Sequence, residues 1–128
     1  MAVAVQESAI TDVDRVAAAT LGVYVRRQDL ATEMPLAELL NVPSGLGALR
    51  AVVGATERTV EIVLDAEVDA AAAAPAVWSL FAKGFQPIIL VSLDRLGEAH
   101  EGLRGTPCRL QAWWSREDAV VFGAFEST

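Results

Sequence analysis

Hydrophobic positions recur with two periods along this chain, and the switching between them predicts a mixed α/β fold. Ile10, Val13, Ala17 and Leu21 fall at helical spacing. Thr11 is placed to cap that helix, and Asp12 and Asp14 lie in its first turn, where carboxylates favour the helix dipole. Gly22 predicts its end, and Val23-Tyr24-Val25 a short strand. A second helix is expected from near Thr32, with Pro35 in its first turn and Leu36, Leu39 and Leu40 as its apolar stripe. Asn41, Pro43, Ser44 and Gly45 stop it. Residues 46–55 fit two readings. Leu46, Leu49 and Val53 suit a helix, Leu49 to Val53 suits a strand turning at residues 54–57, and the helix is slightly favoured.

From residue 59 the period changes to two. Val60, Ile62 and Leu64 alternate with Thr59, Glu61 and Asp65, as in a half-buried strand, and Val63 implies that the polar face is partly covered. Asp69 can cap an alanine-rich helix. Pro75 either kinks it or opens a new one from its first turn. Val77, Leu80 and Phe81 are the expected buried stripe, with Lys83 and Gly84 at the end. Pro87 to Val91 is a continuous apolar run, the pattern of a strand buried on both faces. Strand, crossover helix and strand form a parallel βαβ unit. A short helix from Asp94 carries Leu96, Ala99, His100 and Leu103. Cys108 to Trp114 and Ala119 to Phe125 then read as two strands joined at residues 115–118.

The expected architecture is thus α/β (or α+β). It is one domain over residues 1–128, with a mixed sheet, a parallel βαβ core unit, a C-terminal antiparallel hairpin closing one edge, and helices packed on the sheet. The order helix–helix–strand–helix–strand, over about half of the chain, resembles that of the barstar-type inhibitors. The resemblance is one of element order, and the aromatic–glycine motif of that family is absent at Ser44–Leu49.

Composition narrows the functions. The 128 residues carry ten basic and seventeen acidic side chains, a formal charge of −7. A chain this acidic repels phosphate backbones and anionic membrane surfaces, so neither nucleic acid nor membrane is an expected partner. A hydrophobic fraction of 53% and a mean hydropathy of +0.37 exclude intrinsic disorder. One cysteine, Cys108, makes no intrachain disulfide, and MAVAVQES lacks the basic and apolar regions of a signal peptide, so a cytoplasmic location is expected. The most apolar stretch, residues 70–82, is shorter than the ~20 residues of a membrane span.

Few side chains suggest chemistry. His100 is the sole histidine, which leaves no two-histidine metal site. Asp94, Glu98 and Glu101 share one helix face, but a row of carboxylates does not wrap an ion, and Arg95 and Arg104 offset them; the expected reading is a solvated face. Cys108 has no basic partner in its motif and reads as a small buried residue. Ser44-Gly45-Leu46-Gly47 lacks the third glycine of a dinucleotide loop and the lysine of a Walker motif. Trp113-Trp114 is more informative. If Leu110, Ala112 and Trp114 face the core, Arg109, Gln111 and Trp113 share the other face.

Two functions follow as expectations. The first is a non-enzymatic interaction or accessory domain, binding a protein partner or a second copy of itself, as in a homodimer, through the C-terminal hairpin, with Trp113, Arg109 and Gln111 as anchors. The second is a small-molecule-binding domain or modest enzyme. Its site would lie at the carboxyl ends of the parallel strands, near Asp65, Ser92 and Asp94 with His100 close by, where open α/β sheets gather ligands. No metal and no cofactor are expected.

Overall fold

The computed structural model describes residues 11–128, so Ile10 and the N-terminal segment lie outside the described residues. Among these residues six strands form one mixed sheet in chain order: β1 (Ala31–Pro35), β2 (Arg50–Gly54), β3 (Thr59–Val63), β4 (Gln86–Ser92), β5 (Arg109–Arg116) and β6 (Ala119–Ser127). β1, β2 and β3 are an antiparallel meander, β3, β4 and β5 run parallel, and β6 returns antiparallel to β5. The expected parallel pairing of residues 59–65 with 88–91 is present as a ladder over Thr59–Val63, with Thr59 opposite Gln86 and Val63 opposite Leu90.

Among the described residues four α-helices accompany the sheet: α1 (Asp12–Arg26), α2 (Ser44–Gly47), α3 (Ala74–Ala82) and α4 (Leu96–Gly102). One apolar cluster joins Val60, Ile62, Ile89, Val91 and Leu110 to Leu36, Leu46, Val77, Leu80, Ala99 and Leu103, so α2, α3 and α4 cover one face. The opposite face is covered by α1, whose Val16 and Ala17 pack with Val63 and Leu90, flanked by Val13, Trp113, Val120 and Phe122. No helix among the described residues is long and apolar enough to cross a membrane.

Several sequence expectations are corrected. Helix α1 does not stop at Gly22, and Val23-Tyr24-Val25 is helical. Val13, Val16, Ala17, Thr20 and Tyr24 continue a single stripe, and the burial of Tyr24 outweighs the ~1 kcal/mol that an interior glycine costs. The helix ends instead at Arg27, followed by Gln28 with φ of 62°. The helix expected from Thr32 is strand β1 followed by a 3-10 turn over Leu36–Glu38, because its backbone pairs with β2. Leu36 and Leu40 still enter the core. Residues 46–55 divide between one turn of helix and strand β2, against the helix favoured above. The element order on which the inhibitor resemblance rested is therefore replaced by α1–β1–α2–β2–β3.

Elsewhere the local signals hold. Asp69 caps a 3-10 turn over Ala70–Ala73, accepting from the Ala71 N–H at 3.3 Å, and Pro75 sits in the first turn of α3. Gly84, with φ of 88°, follows the helix end. Phe81 is an exception. It is 53% exposed, with Trp78 set edge-on against it at 6.3 Å. Glu117 and Asp118, with φ of 51° and 66°, make the two-residue turn between β5 and β6, a backbone that suits a tight hairpin.

Candidate functional site

Helix α1 is anchored at its start by the hairpin tip and at its end by the meander. Thr11 and Asp14 form a reciprocal capping box. Arg15 donates to Ser115 Oγ at 3.1 Å and to the Asp118 carbonyl at 3.4 Å. At the far end the Ala55 N–H donates to the Leu30 carbonyl, joining the chain after α1 to β2. Among the described residues, one helix laid across the sheet leaves part of this face open. The opening is a cavity of about 250 Å³ between the C-terminal half of α1 and the N-terminal halves of the parallel strands.

Its floor is a buried polar cluster. β3 is buried along its whole length, and Thr59 and Glu61 point to the α1 face with only 5% and 6% exposure. The Tyr24 hydroxyl donates to Glu61 Oε2 at 2.6 Å and lies 2.6 Å from Thr59 Oγ1. With Glu61 ionised, Thr59 donates to Tyr24 and Tyr24 to Glu61; with Glu61 protonated, the chain can run in reverse. The cluster is thus hydrogen-bonded in either state. Burial pushes the Glu61 carboxyl above its ordinary range, against the opposing pull of the Tyr24 hydroxyl and then of Arg27 and Arg109. Burial, and then the hydrogen bond to Glu61, likewise raise the Tyr24 phenol.

Gly54 makes this arrangement possible. It pairs with Thr59 across β2 and β3, and a Cβ there would lie 2.6 Å from both Thr59 Oγ1 and Tyr24 Cε1. The tyrosine ring occupies the space that any other side chain would fill.

Glu61 Oε1 has no hydrogen-bond partner among the described residues, and it is not among their sealed unpaired polar atoms, so it faces the cavity. Gln111 is on the wall. Its amide nitrogen donates to the Gly123 carbonyl at 2.9 Å, which leaves its oxygen free to accept. Arg109 lies at the mouth, its guanidinium 4.5 Å from the Phe125 ring centroid, and Arg27 lies on the facing rim. Neither arginine has an ion-pair partner within 4.0 Å among the described residues. Val23, Ile88 and Phe122 supply apolar wall, and Asp29 and Glu57 complete the rim.

A second cavity, about 690 Å³, opens at the carboxyl ends of the parallel strands. Ser92 and Asp94 line it, as do Leu93, Trp113 and Trp114. Asp65 does not. Its side chain accepts from the Glu67 N–H at 3.0 Å and its carbonyl from Arg95 at 2.9 Å. His100 is elsewhere, with Nε2 2.8 Å from Glu126 Oε1 on β6. The residues proposed for one site are therefore divided. Arg95, the basic group on this wall, is fully committed, donating to Asp65, to the Val68 carbonyl at 2.6 Å and to Glu98 at 2.8 Å. The Glu98 carboxyl is held below its usual range by that contact, and Glu101 pairs with Arg104. Among the described residues no three His, Cys, Asp or Glu are grouped so as to hold a metal ion.

The hairpin residues are divided as well. Arg109 and Gln111 line the smaller cavity, whereas Trp113 packs under the first half of α1 with its indole nitrogen sealed from solvent. Cys108 is buried, and burial raises its thiol. The sequence reading missed Tyr24, Thr59 and Glu61. The available signal was Val63, an apolar residue in register with Thr59 and Glu61, which implies that something covers that face. With residues 23–25 read as a strand, no helical residue was left to cover it. Comparison with family models, with curated proteins and with solved structures returns no match to this chain.

Proposed function

We propose that the protein is a binding domain for a small polar ligand, held in the cavity between α1 and strands β3 to β6. The observation that supports this reading is a buried carboxyl, Glu61, fixed by Tyr24 through one oxygen while the other faces open volume. A buried carboxyl without a counter-ion is costly. Here it is retained, oriented by a second residue and placed beside an uncommitted Gln111 oxygen and Arg109. A few convergent polar groups on an otherwise apolar wall are the usual make-up of a ligand site. The site lies at the amino ends of the parallel strands, because α1 crosses the sheet and leaves that end open.

The test is a thermal-shift screen of the intact protein against amino acids, nucleotides, acyl compounds and divalent ions, repeated on Glu61→Gln. A ligand present at one hundred times its Kd adds about 2.7 kcal/mol of stability. The expected result is a set of hits that Glu61→Gln weakens. Silence across the screen, or hits indifferent to Glu61→Gln, overturns the reading.

A second reading, self-association through the hairpin, is supported by β6. It is the last strand of the sheet, nine residues long, and its outer edge is unpaired among the described residues. Trp113 is not its anchor; pairing would use the β6 backbone with Phe125, which is 41% exposed. Light scattering across a concentration series tests it: a growing dimer fraction supports the reading, and a constant monomer mass contradicts it.

A further inference from the structure

Resting on the ligand-binding reading above, we infer that the ligand is a small zwitterion of the amino-acid type, with its ammonium directed inward to Glu61 and its carboxylate outward to Arg109 and Arg27. The polar groups of the cavity are arranged by depth. At the floor and on the wall above it the uncommitted atoms are acceptors, Glu61 Oε1 and the Gln111 oxygen, since the Tyr24 hydroxyl is already shared with Glu61 and Thr59 and the Gln111 amide nitrogen is bound to Gly123. The inner end of the ligand must therefore donate. An ammonium does so and also brings the counter-charge that the Glu61 carboxylate lacks, which makes this the strong form of the bond.

At the mouth the order is reversed. Arg109 lies over the Phe125 ring, and neither it nor Arg27 has a carboxylate within ion-pair distance among the described residues. A guanidinium presents paired N–H donors that match a carboxylate. Asp29 and Glu57 on the same rim bring its formal charge to zero, so the rim lacks the excess positive charge that a polyphosphate needs. Between floor and mouth the wall is apolar, with Val23, Ile88 and Phe122, which suits a short aliphatic side chain. At ~30 Å³ for each water, about 250 Å³ holds on the order of eight such volumes, which is room enough for a small aliphatic amino acid.

The experiment is calorimetric titration of the intact protein with the twenty L-amino acids. The tightest binder is then compared with its des-amino acid and its decarboxylated amine; for valine these are 3-methylbutanoate and isobutylamine. The zwitterion is expected to bind at least tenfold more tightly than either fragment. Arg109→Gln should weaken the amino acid at least tenfold and leave the amine unchanged. Glu61→Gln should weaken the amino acid and leave the des-amino acid unchanged. Arg109 is exposed, so its variant keeps the inference testable if Glu61→Gln perturbs folding. An amine that binds as well as the amino acid overturns the zwitterion and leaves the binding reading intact. The same holds if no amino acid binds while other compounds in the thermal screen do. Silence in both experiments overturns both.

Discussion

Replacing Gly54 with alanine tests whether the Tyr24–Thr59–Glu61 cluster is built as described. Gly54 lies in strand β2 and its φ is not positive, so alanine meets no backbone strain there. The added Cβ would sit 2.6 Å from Tyr24 Cε1 and from Thr59 Oγ1, too close for either to stay in place. Forcing a methyl into a packed site costs about 2 kcal/mol. Displacing the tyrosine breaks its hydrogen bonds to Glu61 and Thr59, a further loss of about 1.5 kcal/mol. Alanine recovers about 0.7 kcal/mol through lower chain entropy. The net expectation is a destabilisation of about 3 kcal/mol, read as a fall in the urea midpoint and of roughly 10 °C in Tm. Gly97→Ala is the control, because nothing lies within 4 Å of its Cβ position and it is helical, so it should stabilise by about 0.5–1 kcal/mol. Tyr24→Phe removes the hydroxyl and keeps the ring. In that background Gly54→Ala should cost about 1.5 kcal/mol less, since the hydrogen bonds are already absent. A Gly54→Ala protein as stable as wild type, or costs that add without coupling, would refute the reasoning.

Glu61→Gln should change the pH dependence of stability in a defined direction. Burial raises the Glu61 carboxyl, so the folded protein holds that proton more tightly than the unfolded chain does, and Glu61 becomes a burden as pH rises from about 4.3 through its folded value. The stability of Glu61→Gln relative to wild type should therefore climb with pH over that interval and then level off; urea titrations between pH 4.5 and 8 that show a flat or falling difference contradict this. Trp113→Ala should cost roughly 3 kcal/mol because the indole packs beneath α1, whereas Trp78→Ala, at a site 52% exposed, should stay within about 0.5 kcal/mol; the reverse ranking in denaturant unfolding would contradict the burial assigned to each. Gly102→Ala should destabilise by about 2 kcal/mol, because its Cβ would lie 2.9 Å from the Ala71 backbone nitrogen where α4 crosses the 3-10 turn; a neutral midpoint would show that the two segments can separate without loss.

The parts of the fold that were legible from sequence are those where one signal dominates. The run Pro87–Val91 has no polar residue to mark a solvent face, and it is a strand buried on both sides. Pro75 and Gly84 fix the limits of α3 through backbone geometry alone. The first half of the chain was harder, because the local signals there conflict with tertiary contacts. Gly22 weakens α1 without ending it, since Tyr24 beyond it is buried against β3. Residues 31–35 and 50–54 carry helix-compatible patterns and are strands because they pair with each other. Reading Val23-Tyr24-Val25 as a strand concealed the candidate site. Arg109 and Gln111 were identified as neighbours on one strand face, and this much follows from period two. Their convergence with Glu61 depends on β5 lying two strands from β3, and with Tyr24 on α1 crossing above them. Both are long-range facts that no local pattern carries. The expectation of a ligand site at the carboxyl ends came from the general behaviour of parallel sheets, and it does not allow for a helix that leaves the opposite end open.

Amide chemical-shift mapping tests the location of the binding site most directly. The labelled protein is titrated with the compounds that stabilise it in the thermal screen, and each backbone signal is followed. Shifts should cluster at Val23, Tyr24, Thr59, Glu61, Gln111 and Phe125, and they should fade in Glu61→Gln. Shifts confined to Leu64, Ser92 and Trp114 at the other end of the sheet, or no shift with any compound, would contradict the account.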